Sequence, residues 1–264
     1  MLKIGFIGAG NMAQAMIKGM IDSQLYQASE ILVYNHRYAP TLEKVVDTYH
    51  VTPILEMEQL IKQVDLVILA VKPNILRQLL ATIKPWISTQ LICSIAAGVT
   101  IAEIEQELGN QKIIRVMPNT PAMVGEGMSS VSVTPNVSAD EQVAVLEVMS
   151  SFGRAEVVPE SLIDAVVGVS GSAPAYVYLF IEALADGAVA EGMSRSQAYT
   201  FAAQTVLGAA KMVAETGEHP AMLKDQVCSP GGTTIAAVQS LEENGFRAAT
   251  IQAVRMAAKK NREG

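Results

Sequence analysis

Two glycine-centred turns, one near each end of the chain, carry the residues whose types and spacing could do chemistry. In the first, Gly8, Gly10 and Ala13 fit the pattern G-x-G-x-x-A. The pattern follows an apolar run over residues 2–7 with β-branched Ile4 and Ile7. It precedes Met12, Ala15, Met16, Gly19 and Met20, which recur at helical spacing. Strand, glycine turn and helix in that order form a dinucleotide fingerprint. Gly8 permits the tight turn, Gly10 lets the backbone approach a pyrophosphate, and Ala13 lets helix and strand pack closely. Ala9, Asn11 and Met12 complete the turn, and the free N–H groups of the helix start would hold the anion. In the second, Ser229-Pro-Gly-Gly-Thr-Thr234 interrupts an otherwise helical region. Ser229, Gly231 and Gly232 shape a turn that cannot be helix, and Thr233 and Thr234 open the next helix. Free N–H groups beside two hydroxyls make a small anion pocket, suited to a substrate carboxylate.

The chain between these turns must position them. Residues 30–34 read as the second strand. In an NAD-binding unit an acidic side chain at its end would take the ribose 2′-hydroxyl, about 20 residues after the glycines. Asn35, His36 and Arg37 stand there instead, which points to a 2′-phosphate and so to NADP(H). Residues 65–71 are almost wholly apolar, the mark of a parallel strand covered on both faces. Val71, Lys72 and Pro73 lie at its ligand edge, where Pro73 starts a helix. Lys72 either faces a ligand or points into water. Further strands are expected at 90–94, 112–117, 128–134 and 154–158. Helices are expected at 42–49, 101–108 and 138–151, and a short strand at 51–52. Thr100 and Glu103 form a capping box at the start of the second of these helices. Alternation of this kind predicts a doubly wound parallel sheet over residues 1–159. Beyond Pro159 only helices are expected, at 161–169, 173–191, 194–216, 220–227, 233–243 and 246–260. Their many alanines allow close packing, and residues 160–264 read as an all-helical second domain that buries its excess apolar surface in a dimer.

Composition narrows the classes. The chain has 264 residues, 50% hydrophobic and 17% charged, with net charge −7, which argues against nucleic acid or an anionic membrane as main partner. The apolar helix at 175–192 carries Glu182, Asp186 and Glu191 and is read as too short and too charged to span a membrane. Cys93 and Cys228 show no metal spacing and are read as buried thiols in a reducing cytosol. Tyr176 and Glu182 are read as packing and helix-face residues, and His219 as a structural loop residue.

Taken together, these stretches resemble the pyrroline-5-carboxylate reductase family over essentially the whole chain. The likeness runs through 6–13, Leu69-Ala-Val-Lys-Pro73, Ala96-Ala-Gly-Val-Thr100, Arg115-Val-Met-Pro-Asn-Thr-Pro121, Ser170-Gly-Ser-Ala-Pro-Ala-Tyr176 and, most specifically, 229–234. The resemblance implies NADPH-dependent reduction of Δ1-pyrroline-5-carboxylate to L-proline, with NADH as an alternative. It also implies an enzyme with a Rossmann domain and a helical dimerisation domain, often built into pentamers of dimers, while the cysteine usage points to the cytoplasm. By the same likeness Ala97, Pro118, Asn119 and Gln226 join the cofactor contacts, and the Thr234 hydroxyl meets the ring nitrogen. Two positions depart from the family pattern. Met57 stands where many members carry Asn near a helix start, and Gln226 where Asn commonly precedes the turn. The nearest rival class, β-hydroxyacid dehydrogenases, typically needs a lysine base; Lys211, in Gly-Ala-Ala-Lys, is a candidate in name only, because its neighbours lack the expected polar partners. A non-catalytic NADP(H) sensor would leave the second turn without a purpose.

Overall fold

A computed structural model describes residues 2–263. It divides into two compact units. One runs to Gly171 and includes the chain from Ala258 onward; the other is Ser172–Ala257.

The first unit is built on an eight-stranded sheet. Its strands are β1 (Ile4–Ile7), β2 (Ile31–Tyr34), β3 (Thr52–Pro53), β4 (Leu66–Leu69), β5 (Leu91–Ser94), β6 (Lys112–Met117), β7 (Gly127–Val133) and β8 (Gly153–Val157), in the order β3-β2-β1-β4-β5-β6-β7-β8. The order reverses between β1 and β4, so a crevice opens above their C-terminal ends. Helices α1 (Asn11–Asp22), α2 (Glu43–Tyr49) and α6 (Ala139–Ser150) bury apolar side chains in one cluster, with Phe6, Met16 and Phe152 at its centre. Helices α3 (Met57–Gln63), α4 (Pro73–Ile83) and α5 (Ile101–Leu108) do so in a second, around Leu60, Leu76 and Ile104. β4 explains its unbroken apolar run: Leu66 and Ile68 enter the first cluster, Val67 and Leu69 the second.

The sheet is not parallel throughout. β1 to β6 run parallel, but β7 is antiparallel to β6 and β8 is parallel to β7. A parallel crossover needs a dozen residues or more, usually with a helix. The link from Met117 to Gly127 holds only one 3-10 segment, Thr120–Val124, so the chain turns straight back. α6 supplies the crossover from β7 to β8.

Capping boxes fix the starts of two α-helices. Thr100 and Glu103 form the expected one on α5, and Ser138 and Glu141 form another on α6. Lys112, and then the Ser138 N–H, hold the Glu141 carboxyl below the usual carboxylate range. That contribution is present above the unfolded carboxyl pKa of about 4.3 and is lost as the pH falls through the lower folded value. Ser138→Ala should cost about 1 kcal/mol. Thermal unfolding would show this as a Tm lowered by roughly 2–4 °C near neutral pH. The difference from wild type should shrink in acid.

The second unit is helical. It holds α8 (Ala173–Ala190), α9 (Arg195–Thr216), α10 (Pro220–Val227), α11 (Thr233–Glu243) and most of α12 (Phe246–Arg262), after the short α7 (Ile163–Val166) of the first unit. Ser194 caps α9 by accepting the Gln197 N–H, and His219 caps α10 through Nδ1. The buried core is only Ala185, Ala198 and Ala202, where α8 and α9 approach closely. Large apolar side chains stay outside, among them Leu179 at 66% and Phe201 at 64% exposure. The helical run Glu160–Ala190 is longer than the sequence suggested, because α7 and a π-type turn precede α8. By length and composition alone it could cross a membrane.

Candidate active site

The crevice above β1 and β4 is a cavity of about 660 Å³. Gly8, at the end of β1, has φ +109, and a Cβ there would stand 2.3 Å from the Ala70 carbonyl oxygen. Its lack of a side chain therefore serves the fold. Gly10 differs: nothing in the protein lies within 4 Å of where its Cβ would be. The open space beside it is what a pyrophosphate needs. Gly10 is also the N-cap of α1, offers no side-chain cap, and is followed by no acid in the first turn. The contrast with α5 and α6, whose starts carry both, leaves the α1 start free for an anion. Gln14 Nε2 donates to the Ala9 carbonyl at 2.9 Å and braces the turn. Ala13 is buried against the first core cluster.

Gly8, Ala9, Gly10, Asn35, His36, Val71 and Lys72 all line this cavity. Lys72, left with two readings by the sequence, is thus at the cleft, as the N-cap of α4. No Asp or Glu lines the cavity, so its only formal charge at neutral pH is positive. Asn35 Nδ2 donates to the Arg37 carbonyl at 2.8 Å, shaping the turn after β2. Arg37 is exposed and, among the described residues, forms no ion pair. Met57 lines the cavity at the start of α3. The sequence reading missed the α4 stripe Ile75, Gln78, Leu79 and Thr82. Its i, i+3, i+4, i+7 spacing was the available signal.

Other expected cofactor residues stand elsewhere. Asn11, Pro73 and Arg37 adjoin lining residues without lining the cavity, Met12 lies one residue further on, and Ala97 is exposed after β5. Pro118 and Asn119 are buried. Asn119 donates to the Ser170 carbonyl at 3.0 Å and accepts the Met128 N–H at 2.8 Å, so its amide holds the β6–β7 link.

The second turn lies within the helical unit. Gly231 has φ +68, and a Cβ on Gly232 would meet Ser229 Oγ at 2.3 Å. The Gly232 N–H donates to the Ser229 carbonyl at 3.1 Å, closing the turn. α11 then starts at Thr233 with Gly232 as N-cap, no side-chain cap and no acid in its first turn. That repeats the design of the α1 start. Thr233 is exposed and Thr234 half-buried, and neither hydroxyl, nor that of Ser229, has a hydrogen-bond partner among the described residues. Gln226 Nε2 instead donates to Glu218 at 2.9 Å. Tyr176 donates to the Ala253 carbonyl at 3.4 Å. Lys211 pairs with Glu215 at 3.4 Å on an exposed face, which leaves it poorly placed as a base. Both cysteines are free; burial pushes the Cys93 thiol up to about 12, whereas Cys228 is half-exposed rather than buried. Among the described residues no cluster of three or more His, Cys, Asp or Glu could hold a metal.

Residues 160–264 match a family model described as pyrroline-5-carboxylate reductase dimerisation. Residues 3–98 match one described as NADP oxidoreductase coenzyme F420-dependent. The chain is 50% identical to the pyrroline-5-carboxylate reductase of Escherichia coli (strain K12), over 96% of this chain and 94% of that protein. It is 45% identical to that of Methanosarcina acetivorans, over 99% and 97%. A Coxiella burnetii pyrroline-5-carboxylate reductase structure superposes with a TM-score of 0.94 at 34% identity, covering 99% of this chain and 98% of that one. The Plasmodium falciparum pyrroline carboxylate reductase crystallised with NADP bound gives 0.85 at 33% identity, covering 98% and 97%.

Proposed function

The chain belongs to the pyrroline-5-carboxylate reductase family, and from that premise we propose that it reduces Δ1-pyrroline-5-carboxylate to L-proline. The observation that carries the reading is the 229–234 turn. It offers three hydroxyls without partners and an acid-free helix start, in the part of the chain that matches the family's own model.

NADPH, when bound, supplies the hydride, with NADH as the alternative donor. The α1 start and Gly10 hold its pyrophosphate, Asn35, His36 and Arg37 its adenosine end, and Val71 and Lys72 the adjoining rim. Ser229, Gly231, Gly232, Thr233 and Thr234 hold the substrate. The N–H groups of the α11 start take its carboxylate, and the Thr234 hydroxyl bonds to the ring nitrogen. The imine is protonated at nitrogen before reduction, so two electrons arrive with the hydride and the nitrogen keeps its proton as the amine. No strong base is required. Orientation and charge placement supply most of the acceleration.

On this reading the dinucleotide domain is 1–159 and the substrate and dimerisation domain 160–264, although the compact units divide later, after Gly171, with the chain from Ala258 returning to the first. A second copy covers the exposed apolar side chains of α8 and α9, and dimers assemble further into a pentamer of dimers in the cytoplasm. Leu179 and Phe201 are exposed on the single chain, and an apolar surface of that kind is what a second copy would cover.

Turnover of NADPH with pyrroline-5-carboxylate, compared with 2-keto and 3-oxo acids, tests the reaction. Rapid oxidation with the imine alone is expected, and preference for a keto acid would sink the reading. Arg37→Ala should reduce NADPH affinity about tenfold with NADH unaffected, removing one charge-assisted contact to the 2′-phosphate. Equal loss for both cofactors would place Arg37 outside that contact.

A further inference from the structure

A dinucleotide with its pyrophosphate at Gly8–Gly10 and its adenosine toward Asn35 and His36 must send its nicotinamide the other way, over the ends of β4 and β5. The rim there is the chain after β5, residues 95–100. Ala97 and Gly98 at its tip are exposed, and Gly98 has φ +72, whereas Ala96 and Val99 on either side are buried in the second core cluster. Hydrogen bonds fix its two ends. At the near end the Ala96 N–H donates to Ser94 Oγ at 3.3 Å. At the far end the capping box satisfies the N–H groups of Thr100 and Glu103. The Ile101 N–H, the first of α5, is left over. It donates at 2.8 Å to Glu160 Oε1, a residue beyond β8.

The same oxygen accepts from Arg115 Nη1, also at 2.8 Å. Arg115 sits on β6 with its side chain only 7% exposed, while that of Glu160 is 30% exposed. A guanidinium so buried needs a carboxylate, and its fork in turn fixes where that carboxylate lies. Gly98, Thr100, Arg115 and Glu160 line one cavity of about 450 Å³, together with Ile163, Asp164 and Arg262, so the pair lies directly beneath the rim.

We propose that Glu160 is a positioning residue for the cofactor. Its Oε1, held by Arg115, fixes the first N–H of α5 and thereby the 95–100 rim against which the nicotinamide lies. The proposal rests on the cofactor half of the function above but not on the identity of the imine.

The test separates positioning from charge balance. Glu160→Gln keeps an acceptor for the Ile101 N–H and loses the charge. The double variant Glu160→Ala with Arg115→Met removes both charges and the acceptor. Melting temperature, NADPH dissociation constant by fluorescence titration, and KM for NADPH against kcat are measured for each. In the double variant the melting temperature should return close to wild type. Its NADPH dissociation constant and KM should nevertheless rise about tenfold, equivalent to about 1.4 kcal/mol, with kcat at saturating NADPH little changed. Glu160→Gln should melt lower yet bind NADPH better than the double variant. If NADPH affinity recovers in step with melting temperature, Glu160 only neutralises Arg115 and the proposal falls. Wild-type protein that binds NADPH but reduces no pyrroline-5-carboxylate would overturn the proposed reaction and leave this comparison intact.

Discussion

Thr234→Ala is expected to lower kcat/KM for pyrroline-5-carboxylate by about a hundredfold, with NADPH affinity retained. The Thr234 hydroxyl is half-buried and unpartnered at the start of α11, with the N–H groups of that start beside it. Losing a contact that holds the reacting ring in line for hydride transfer costs on the order of 10²-fold in rate. The protonated imine loses positive charge as hydride arrives, so an acceptor aimed at its nitrogen orients the ring, and the loss should fall on both kcat and KM. Thr234→Val keeps the shape and removes the hydroxyl; it should behave like the alanine variant. Thr234→Ser keeps the hydroxyl and should stay within about tenfold of wild type. If Val matches wild type, the role of Thr234 is packing and the assigned contact is wrong.

The second large effect distinguishes two glycines that look alike in the sequence. Gly10→Ala should fold with an unchanged melting temperature, because its Cβ meets no protein atom within 4 Å. It should still weaken NADPH binding by about a hundredfold, since the added methyl enters the space beside the α1 start proposed for the pyrophosphate, and the ligand would have to retreat from the N–H groups. Gly8→Ala should fail differently. At φ +109 an alanine carries backbone strain of about 1–3 kcal/mol. Its Cβ would also press on the Ala70 carbonyl at 2.3 Å, at the end of β4. The expected result is a Tm lowered by several degrees, or a poor yield of folded protein. Apo-protein melting curves beside NADPH titrations check both. A Gly10→Ala variant that binds NADPH normally would remove the pyrophosphate from this turn.

These two glycines also show what was legible in the sequence. The strand-turn-helix order was readable because each signal is local: β-branched residues, two glycines and a helical apolar stripe within twenty residues. Helix ends in the second unit were equally readable, since Ser194, Gly217 and Pro220 punctuate locally. The separate duties of Gly8 and Gly10 were not, because the Ala70 carbonyl reaches Gly8 from β4. The direction of β7 was missed for a related reason. Its side-chain pattern carries no sign of direction, and only the short link from Met117 decides which way it runs. The bond from Ile101 to Glu160 spans 59 positions and leaves no periodic trace. Nor did the sequence place the last turn of α12 with the first unit, where Asn261 donates to Asp164 at 2.7 Å.

The most direct test of the central claim follows the hydride. NADPH carrying deuterium at C4 of the nicotinamide is supplied with pyrroline-5-carboxylate and this protein, and the product is analysed by mass spectrometry and NMR. The account predicts L-proline with one deuterium on the ring carbon next to nitrogen, on the side away from the carboxylate-bearing carbon. Proline without deuterium, or label transferred to a keto acid while the imine is left untouched, would contradict it.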